Sequence, residues 1–273
     1  MSVAAQRREM YARAHGRLSG ERGFTLIEML VALVAGIIVT AAMGAIVITS
    51  VHFGSSTADR IDADQQGRVA MEKITQALDS ACVSSTAPPV ISNGATGPVG
   101  NPAISDGSHI WFYTAAPASA IAATGATAFG DGATINPYLV EIYVSNGALM
   151  ETSYPWLGGS APAPANTNPW YFDWTAPSTF TLLAHVVQIG TTPIFQYYGY
   201  SSSAGALNTV PYSTVPSLGA TDATTTAEVT ISYTALPTDD WNTPDRGADV
   251  VDSVVLRLTP ASSQANAANA PCS

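Results

Sequence analysis

"GERGFTLIEMLVALVAGIIV", residues 20–39, decides how the rest of the chain is read. It passes from charged to apolar within a few residues and then places a carboxylate, Glu28, near the start of a run of membrane length. A charge in hydrocarbon is costly unless it finds a partner. From Phe24 to Phe53, Glu28 is the only formal charge, with His52 at the far end. As a helix this stretch would reach about 45 Å, enough to cross a bilayer with some tilt.

The flanks narrow the choice. Arg7, Arg8, Arg13, Arg17 and Arg22 all precede the apolar run, as expected on the cytoplasmic side of a membrane. A secretory signal peptide shows the same basic-then-apolar order. Thr40-Ala41-Ala42 and Gly44-Ala45 offer small residues for its cleavage. Against that, the run is long for a signal core, the helical pattern continues beyond it, and a signal peptide has no need of Glu28. On pattern alone, a plain signal-anchor and a more specialised element both remain open.

The pattern continues in "STADRIDADQQGRVAMEKITQALDSAC", residues 56–82, which has one glycine, Gly67, and no proline. Ala70, Ile74, Ala77 and Ala81 fall at helical spacing with Leu78 beside them, while Asp62, Asp64, Arg68, Glu72 and Lys73 supply the polar remainder. One helix is predicted from Phe24 to about Ala81, with Gly54 or Gly67 as places where it could loosen. A helix half in lipid and half on a domain suits a membrane stalk or the spine of a polymer.

From Phe24 onward, five basic residues face 18 acids, a net charge of −13. Such a body repels nucleic acid, whose binding needs a cationic patch, so no direct nucleic-acid partner is expected. At 47% apolar and 11% charged, the chain is not a disordered tail. Residues 83–108 are rich in Pro, Gly, Ser and Ala and read as a connection with little regular structure. "HIWFYTA" from His109 is a strand candidate. Residues 116–132 are low-complexity Ala, Gly and Thr, expected as a surface loop.

Tyr138–Val144 alternates, Asn146-Gly147 signals a type I′ turn, and Ala148–Tyr154 returns, giving the clearest hairpin. Residues 155–177 hold repeated Pro with Trp156, Trp170 and Trp174, aromatics expected to pack on the domain or to meet a partner. "STFTLLAHVVQI" (178–189) is continuous enough to be strand or short helix. "TPIFQYYGY" reads as a strand and residues 201–221 as a flexible loop. "AEVTISYTAL" alternates through Val229, Ile231 and Tyr233. "DVVDSVVLRLTP" closes the chain as a strand, with Val251, Val254, Leu256 and Leu258 as candidate core. The expected fold class is α+β: a long N-terminal helix, transmembrane in its first half, packed on a mostly antiparallel sheet.

The string Gly23-Phe24-Thr25-Leu26-Ile27-Glu28 resembles the processing motif of type IV prepilins and pseudopilins. It joins a basic leader ending in Gly23, an aromatic first mature residue in Phe24, an acid four places on in Glu28, and an apolar helix that starts at once. The order of the body resembles the larger minor pilins and the J-type minor pseudopilins. Gln66-Gly67-Arg68, "LLAHVVQI" followed by "FQYYG", and "VVDSVVLRLTP" carry that looser likeness, whereas the long insertions and the Trp loop depart from it. The resemblance implies a division into a cytoplasmic leader (1–23), a transmembrane helix (24–53), its amphipathic continuation (54–82) and an extracytoplasmic β-rich domain (83–273). It implies cleavage after Gly23 and methylation of the Phe24 amine by prepilin peptidase. It further implies a single-pass inner-membrane precursor that enters a pilus or pseudopilus, with Glu28 facing a neighbour's N-terminus. The implied partners are prepilin peptidase, major and other minor pilins or pseudopilins, and the inner-membrane assembly platform. A membrane-anchored binding or adhesion module is the alternative, and a tethered hydrolase a more distant one.

Cys82 follows the helix and Cys272 stands next to the chain end. Outside the cytoplasm such a pair can bridge, although the loose stretch 261–271 argues for mobility there. No nucleophile elbow, H-E-x-x-H or phosphate loop is present, so no catalytic residue, metal or cofactor is assigned. His109 and His185 sit in strand-like runs and read as packed or surface residues. Asp239, Asp240, Asp245 and Asp249 crowd one loop. Calcium could use such oxygens, but the spacing is not that of an EF-hand, and a solvated acidic loop is the plainer reading.

Overall fold

The computed structural model describes residues 24–83, 88–92, 102–115, 117, 138–156, 172–200, 206–238 and 246–256. The first helix, α1, spans Leu26–Asp79, 54 residues. It is two residues shorter at each end than the sequence pattern suggests. Gly54 and Gly67, the expected weak points, lie inside it without a break. The chain forms two compact units, residues 1–55 and 56–273, and α1 contributes to both.

The second unit holds eight described strands: β1 (His109–Thr114), β2 (Tyr138–Ser145), β3 (Ala148–Pro155), β4 (Ser178–Leu183), β5 (Val186–Val187), β6 (Phe195–Gly199), β7 (Thr226–Ala235) and β8 (Ala248–Val255). A short helix, α2 (Ala220–Thr225), precedes β7. They form two antiparallel sheets. One runs β1-β2-β3-β4; in the other, β7 pairs with β5 and β6 and with β8. The expected α+β architecture is therefore present, with two sheets where one was read.

The alternating segments do what their period requires. In the β2–β3 hairpin, Asn146 (φ 52°) and Gly147 (φ 74°) both occupy the left-handed region, as a type I′ turn demands. The ambiguous run at 178–189 is two strands in different sheets. Leu182 and Leu183 close β4, the chain turns at Ala184-His185, and Val186 opens β5. Burial gathers at the crossing, in Leu182, Leu183 and Val186, while Ser178, Thr179, Val187 and Gln188 are exposed, so the run shows no clean period.

The core of this unit lies beneath the C-terminal part of α1. Ala63, Gly67, Ala70, Ile74 and Ala77 recur at intervals of three and four and are buried with Met71 and Leu78. Ala70, Met71, Ile74, Ala77 and Leu78 pack with Ile110 and Phe112, Val140 and Ile142, and Val229, Ile231 and Tyr233. Gly67 matters for its lack of a side chain: a Cβ there would stand 2.7 Å from Val250 Cγ2 and 3.0 Å from Ala235 Cβ. The Tyr233 hydroxyl donates to the Gly67 carbonyl at 2.8 Å. The glycine is a close-packing point rather than a hinge.

Two expectations need correcting. Val251 is 61% exposed, whereas Val250, Val254 and Leu256 are buried. The inward phase of β8 is thus the even-numbered one; Leu258 lies outside the described residues. The stretch expected as a flexible loop before β7 is tied down where it is described. Asn208 N–H donates to Gly199 O, Tyr212 N–H to Tyr197 O and Leu218 N–H to Ser105 O, each at 2.8 Å. Residues 88–92 and 102–108 contain no helix or strand, as read. They still enter the fold, because Ile91 N–H donates to Trp111 O and Ser105 Oγ to Ile91 O.

Candidate functional site

The candidate site is the start of α1. Thr25 caps it: its hydroxyl accepts from Glu28 N–H at 3.3 Å, and its carbonyl accepts from Met29 N–H at 3.1 Å. Thr25-x-x-Glu28 has the spacing of a capping box, a signal present in the sequence and passed over there. Phe24 stands just ahead of the helix, 79% exposed. Glu28 lies in the first turn, where the unpaired amide groups of the helix end favour an anion. Gly23 and the residues before it lie outside the described residues.

From Phe24 through Ser55 every residue is exposed, including Leu26, Ile27, Leu30, Val31 and Leu33. An 18-residue window of α1 reaches a mean hydropathy of 2.7, so the helix is long and apolar enough to cross a membrane. Hydroxyls in this stretch turn back onto the helix. Thr40 Oγ1 donates to Gly36 O at 2.8 Å, Thr49 Oγ1 to Ala45 O at 2.9 Å and Ser55 Oγ to His52 O at 2.9 Å. Polar groups satisfied within the helix suit an apolar solvent. The Glu28 carboxylate has no such internal partner among the described residues.

The aromatic segment is packed where it is described. Phe172 is buried against Trp111, Tyr113 and Tyr154, with Trp156 and Trp174 half-buried around them. Trp174 meets Tyr154 edge-on with ring centres 5.0 Å apart. Trp170 lies outside the described residues. This cluster covers the face of the first sheet opposite the main core, as the packing alternative expected.

The remaining candidates are placed as follows. Cys82 is disulfide-bonded; Cys272 lies outside the described residues. His109, in β1, bonds through Nδ1 to Asp106 Oδ1 at 3.3 Å and stacks on Tyr143. The hydrogen bond to Asp106 raises the His109 pKa against the opposing effect of burial. Burial alone would raise Asp106, but hydrogen bonds from His109 and Ser108 outweigh it and hold the carboxyl below its ordinary value. Asp239, Asp240 and Asp245 lie outside the described residues, and Asp249 accepts from the Thr234 hydroxyl. Among the described residues no group of three His, Cys, Asp or Glu is arranged to hold a metal.

Residues 18–51 match the family described as the prokaryotic N-terminal methylation motif. No curated protein sequence matches the chain. Among solved structures the chain resembles a member of the GspK-GspI-GspJ complex from the enterotoxigenic Escherichia coli type 2 secretion system. That likeness has 11% identity and a TM-score of 0.34, covers 72% of this chain and 97% of the other, and is too weak to carry an argument. The methylation motif bears the weight, and it coincides with the capped, fully exposed start of α1. The N-terminal segment thus carries a prokaryotic N-terminal methylation motif, residues 18–51, which runs into one long helix.

Proposed function

We propose that the chain is a structural subunit of a type IV pilus or a type II secretion-like filament, and a minor subunit rather than the repeating one of the shaft. Prepilin peptidase cuts between Gly23 and Phe24 and methylates the new amine. The subunit then waits in the inner membrane as a single-pass protein with its β-rich domain outside the cytoplasm. The assembly platform feeds it into the filament beside major and other minor subunits, which it meets through the N-terminal helix.

The single observation that carries this reading is the state of α1 from Leu26 to Ser55. It is exposed on every side, almost wholly apolar, and marked by one acid in its first turn. Lipid covers such a surface before assembly, and the helices of neighbouring subunits cover it afterwards. Cleavage leaves a positive amine on Phe24, singly methylated or not. An ion pair between that amine and a Glu28 carboxylate gains strongly in low dielectric and loses much of the gain to desolvation. It therefore selects register more than it adds stability. The size of the body and its lack of repetition suit a subunit that starts or caps a filament. The pairing of Cys82 with Cys272 belongs to the same proposal, as a tether between the chain end and the end of α1.

Mass spectrometry of the mature N-terminus tests the processing step. A methylated start at Phe24 is expected, and any other start removes the assignment. Glu28→Leu tests assembly: leader removal and membrane insertion should persist, while recovery with sheared filaments or partner minor subunits should fall. Equal recovery of variant and wild type would return the chain to a plain membrane anchor. Thiol labelling of the denatured, unreduced protein tests the tether, with no free thiol expected and two free thiols refuting it.

A further inference from the structure

The edges of the two sheets are treated differently. The outer edge of β1 is closed: Cys82 N–H donates to Tyr113 O, Ile91 N–H to Trp111 O and Ala115 N–H to Ser80 O. The outer edge of β6 is closed by the 206–212 segment, through Asn208 and Tyr212. Among the described residues, β8 pairs only with β7. Leu256 N–H donates to Ala227 O, which sets the phase of that ladder. The amides of Asp249, Val251, Ser253 and Val255 therefore point away from β7. β4 likewise pairs on one side only among the described residues, but it carries no charged residue.

The open edge of β8 has three further properties. Val251 and Val255 stand on its outer face, 61% and 54% exposed. Asp249–Asp252 form one wall of a groove whose other wall is α1, with Asp64, Arg68 and Glu72 among its residues. That groove carries four carboxylates and one guanidinium, and the guanidinium is already paired with Asp64 at 2.9 Å. Finally, the Asp252 carboxylate accepts the outward Ser253 N–H at 2.8 Å. A side chain thus occupies one of the donors that an added strand would use, a known way of blunting an edge.

We propose that β8 is a docking edge for an extended, lysine- or arginine-bearing segment of a partner protein, added antiparallel or parallel as a further strand. Backbone bonds to Asp249, Val251 and Val255 hold it, as in other strand additions. Its side chains alternate: basic ones on the groove side meet Asp252 and Glu72, and apolar ones on the other side cover Val251 and Val255. Asp252 sets the selectivity. A cationic side chain draws its carboxylate off Ser253 N–H and frees that donor, whereas a neutral or acidic strand finds the donor occupied. A second copy of this β8 is a poor occupant, because Asp249 and Asp252 would bring like charges together.

The test uses the full chain in nonionic detergent and a fluorescent octapeptide of alternating Val and Lys, read by anisotropy. Saturable binding is expected, weakening with salt. The same peptide N-methylated at every backbone nitrogen keeps its charges but loses its donors, and should bind at least about tenfold more weakly. An alternating Val-Glu peptide should not bind. Asp252→Lys should weaken binding by about tenfold or more. Val251→Pro removes an outward donor without touching the β7 ladder, and should abolish binding while circular dichroism is unchanged. The proposal is overturned if no saturable binding occurs, if the N-methylated peptide binds as well as the parent, or if Asp252→Lys is without effect. It is also overturned if the chain self-associates through β8 and the peptide does not compete.

Discussion

The two parts of α1 use opposite logic. Leu26–Ser55 is almost wholly apolar and entirely exposed. Residues 56–79 carry most of the helix's charges and bury Ala63, Gly67, Ala70, Met71, Ile74, Ala77 and Leu78. Hydrophobicity alone therefore ranks the two parts in the wrong order for burial within the chain. The period ranks them correctly. A helix that is apolar all round has no inward face, and its partner is lipid or another helix. A helix with a three-and-four stripe has one face for its own domain.

The sharpest way to break this comparison is to truncate one isoleucine in each part. Ile74 is fully buried, and Ile74→Ala should cost the 56–273 unit about 2–5 kcal/mol. Ile38 is 63% exposed, and Ile38→Ala should leave the melting of that unit unchanged within about 0.5 kcal/mol. Thermal unfolding in detergent reads both; equal losses would mean that the two parts are not distinguished by burial.

Glycines sharpen the same contrast. Gly36 and Gly44 meet nothing within 4 Å of an added Cβ, whereas Gly67 meets Val250 and Ala235. Gly67→Ala should therefore destabilise the unit by about 1–3 kcal/mol despite the better helix propensity of alanine. Gly36→Ala should be neutral or slightly favourable to the helix. A stabilised Gly67→Ala protein would show that Val250 can give way.

Smaller effects follow. The Asp106–His109 pair belongs to the second unit and is partly exposed, so its contribution should stay below about 1 kcal/mol. Because Asp106 is depressed in the folded state, its share is present above the ordinary carboxyl value of 3.8 and is lost as pH falls through the folded value. His109 is raised, so its share is present below 6.5 and is lost as pH rises through the folded value. Both describe one interaction, greatest between those limits. Comparing wild type with His109→Gln across pH should show the difference narrowing at both ends; a difference flat with pH would refute it. The least effect on the second unit belongs to Thr25→Ala. Loss of the cap should weaken the first turn by about 1 kcal/mol, visible as faster amide exchange near Glu28, with no change in the melting of residues 56–273.

Much of the fold was legible where local chemistry has one solution. Asn146-Gly147 admits both positive φ angles of a tight hairpin, so the turn between β2 and β3 needed no tertiary information. The clean alternation of Val229, Ile231 and Tyr233 placed β7 in the core. The candidate site was legible for a similar reason, since a lone acid in an apolar helix after a basic stretch is rare without a role. Its cap was legible too, in Thr25 and Glu28, but was overlooked beside the larger signal.

Other features were decided by neighbours distant in sequence. Val251 and Val250 are adjacent and chemically alike, and only the pairing of β8 with β7 under α1 selects which one is buried. The split of residues 178–189 into β4 and β5 depends on where two sheets meet. Gly67 looked like a weakness in a helix until Val250, Ala235 and the Tyr233 hydroxyl were found against it. The sequence by itself determined a long helix with a lipid-like first part, an acid in its first turn and strands of readable period, because these depend on residues within a few positions of one another. The phase of β8, the role of Gly67 and the open, acid-lined edge were decided only by tertiary structure, because each depends on backbone outside the local window: β7 for the ladder of β8, and α1, whose Gly67 the Tyr233 hydroxyl reaches across 166 residues.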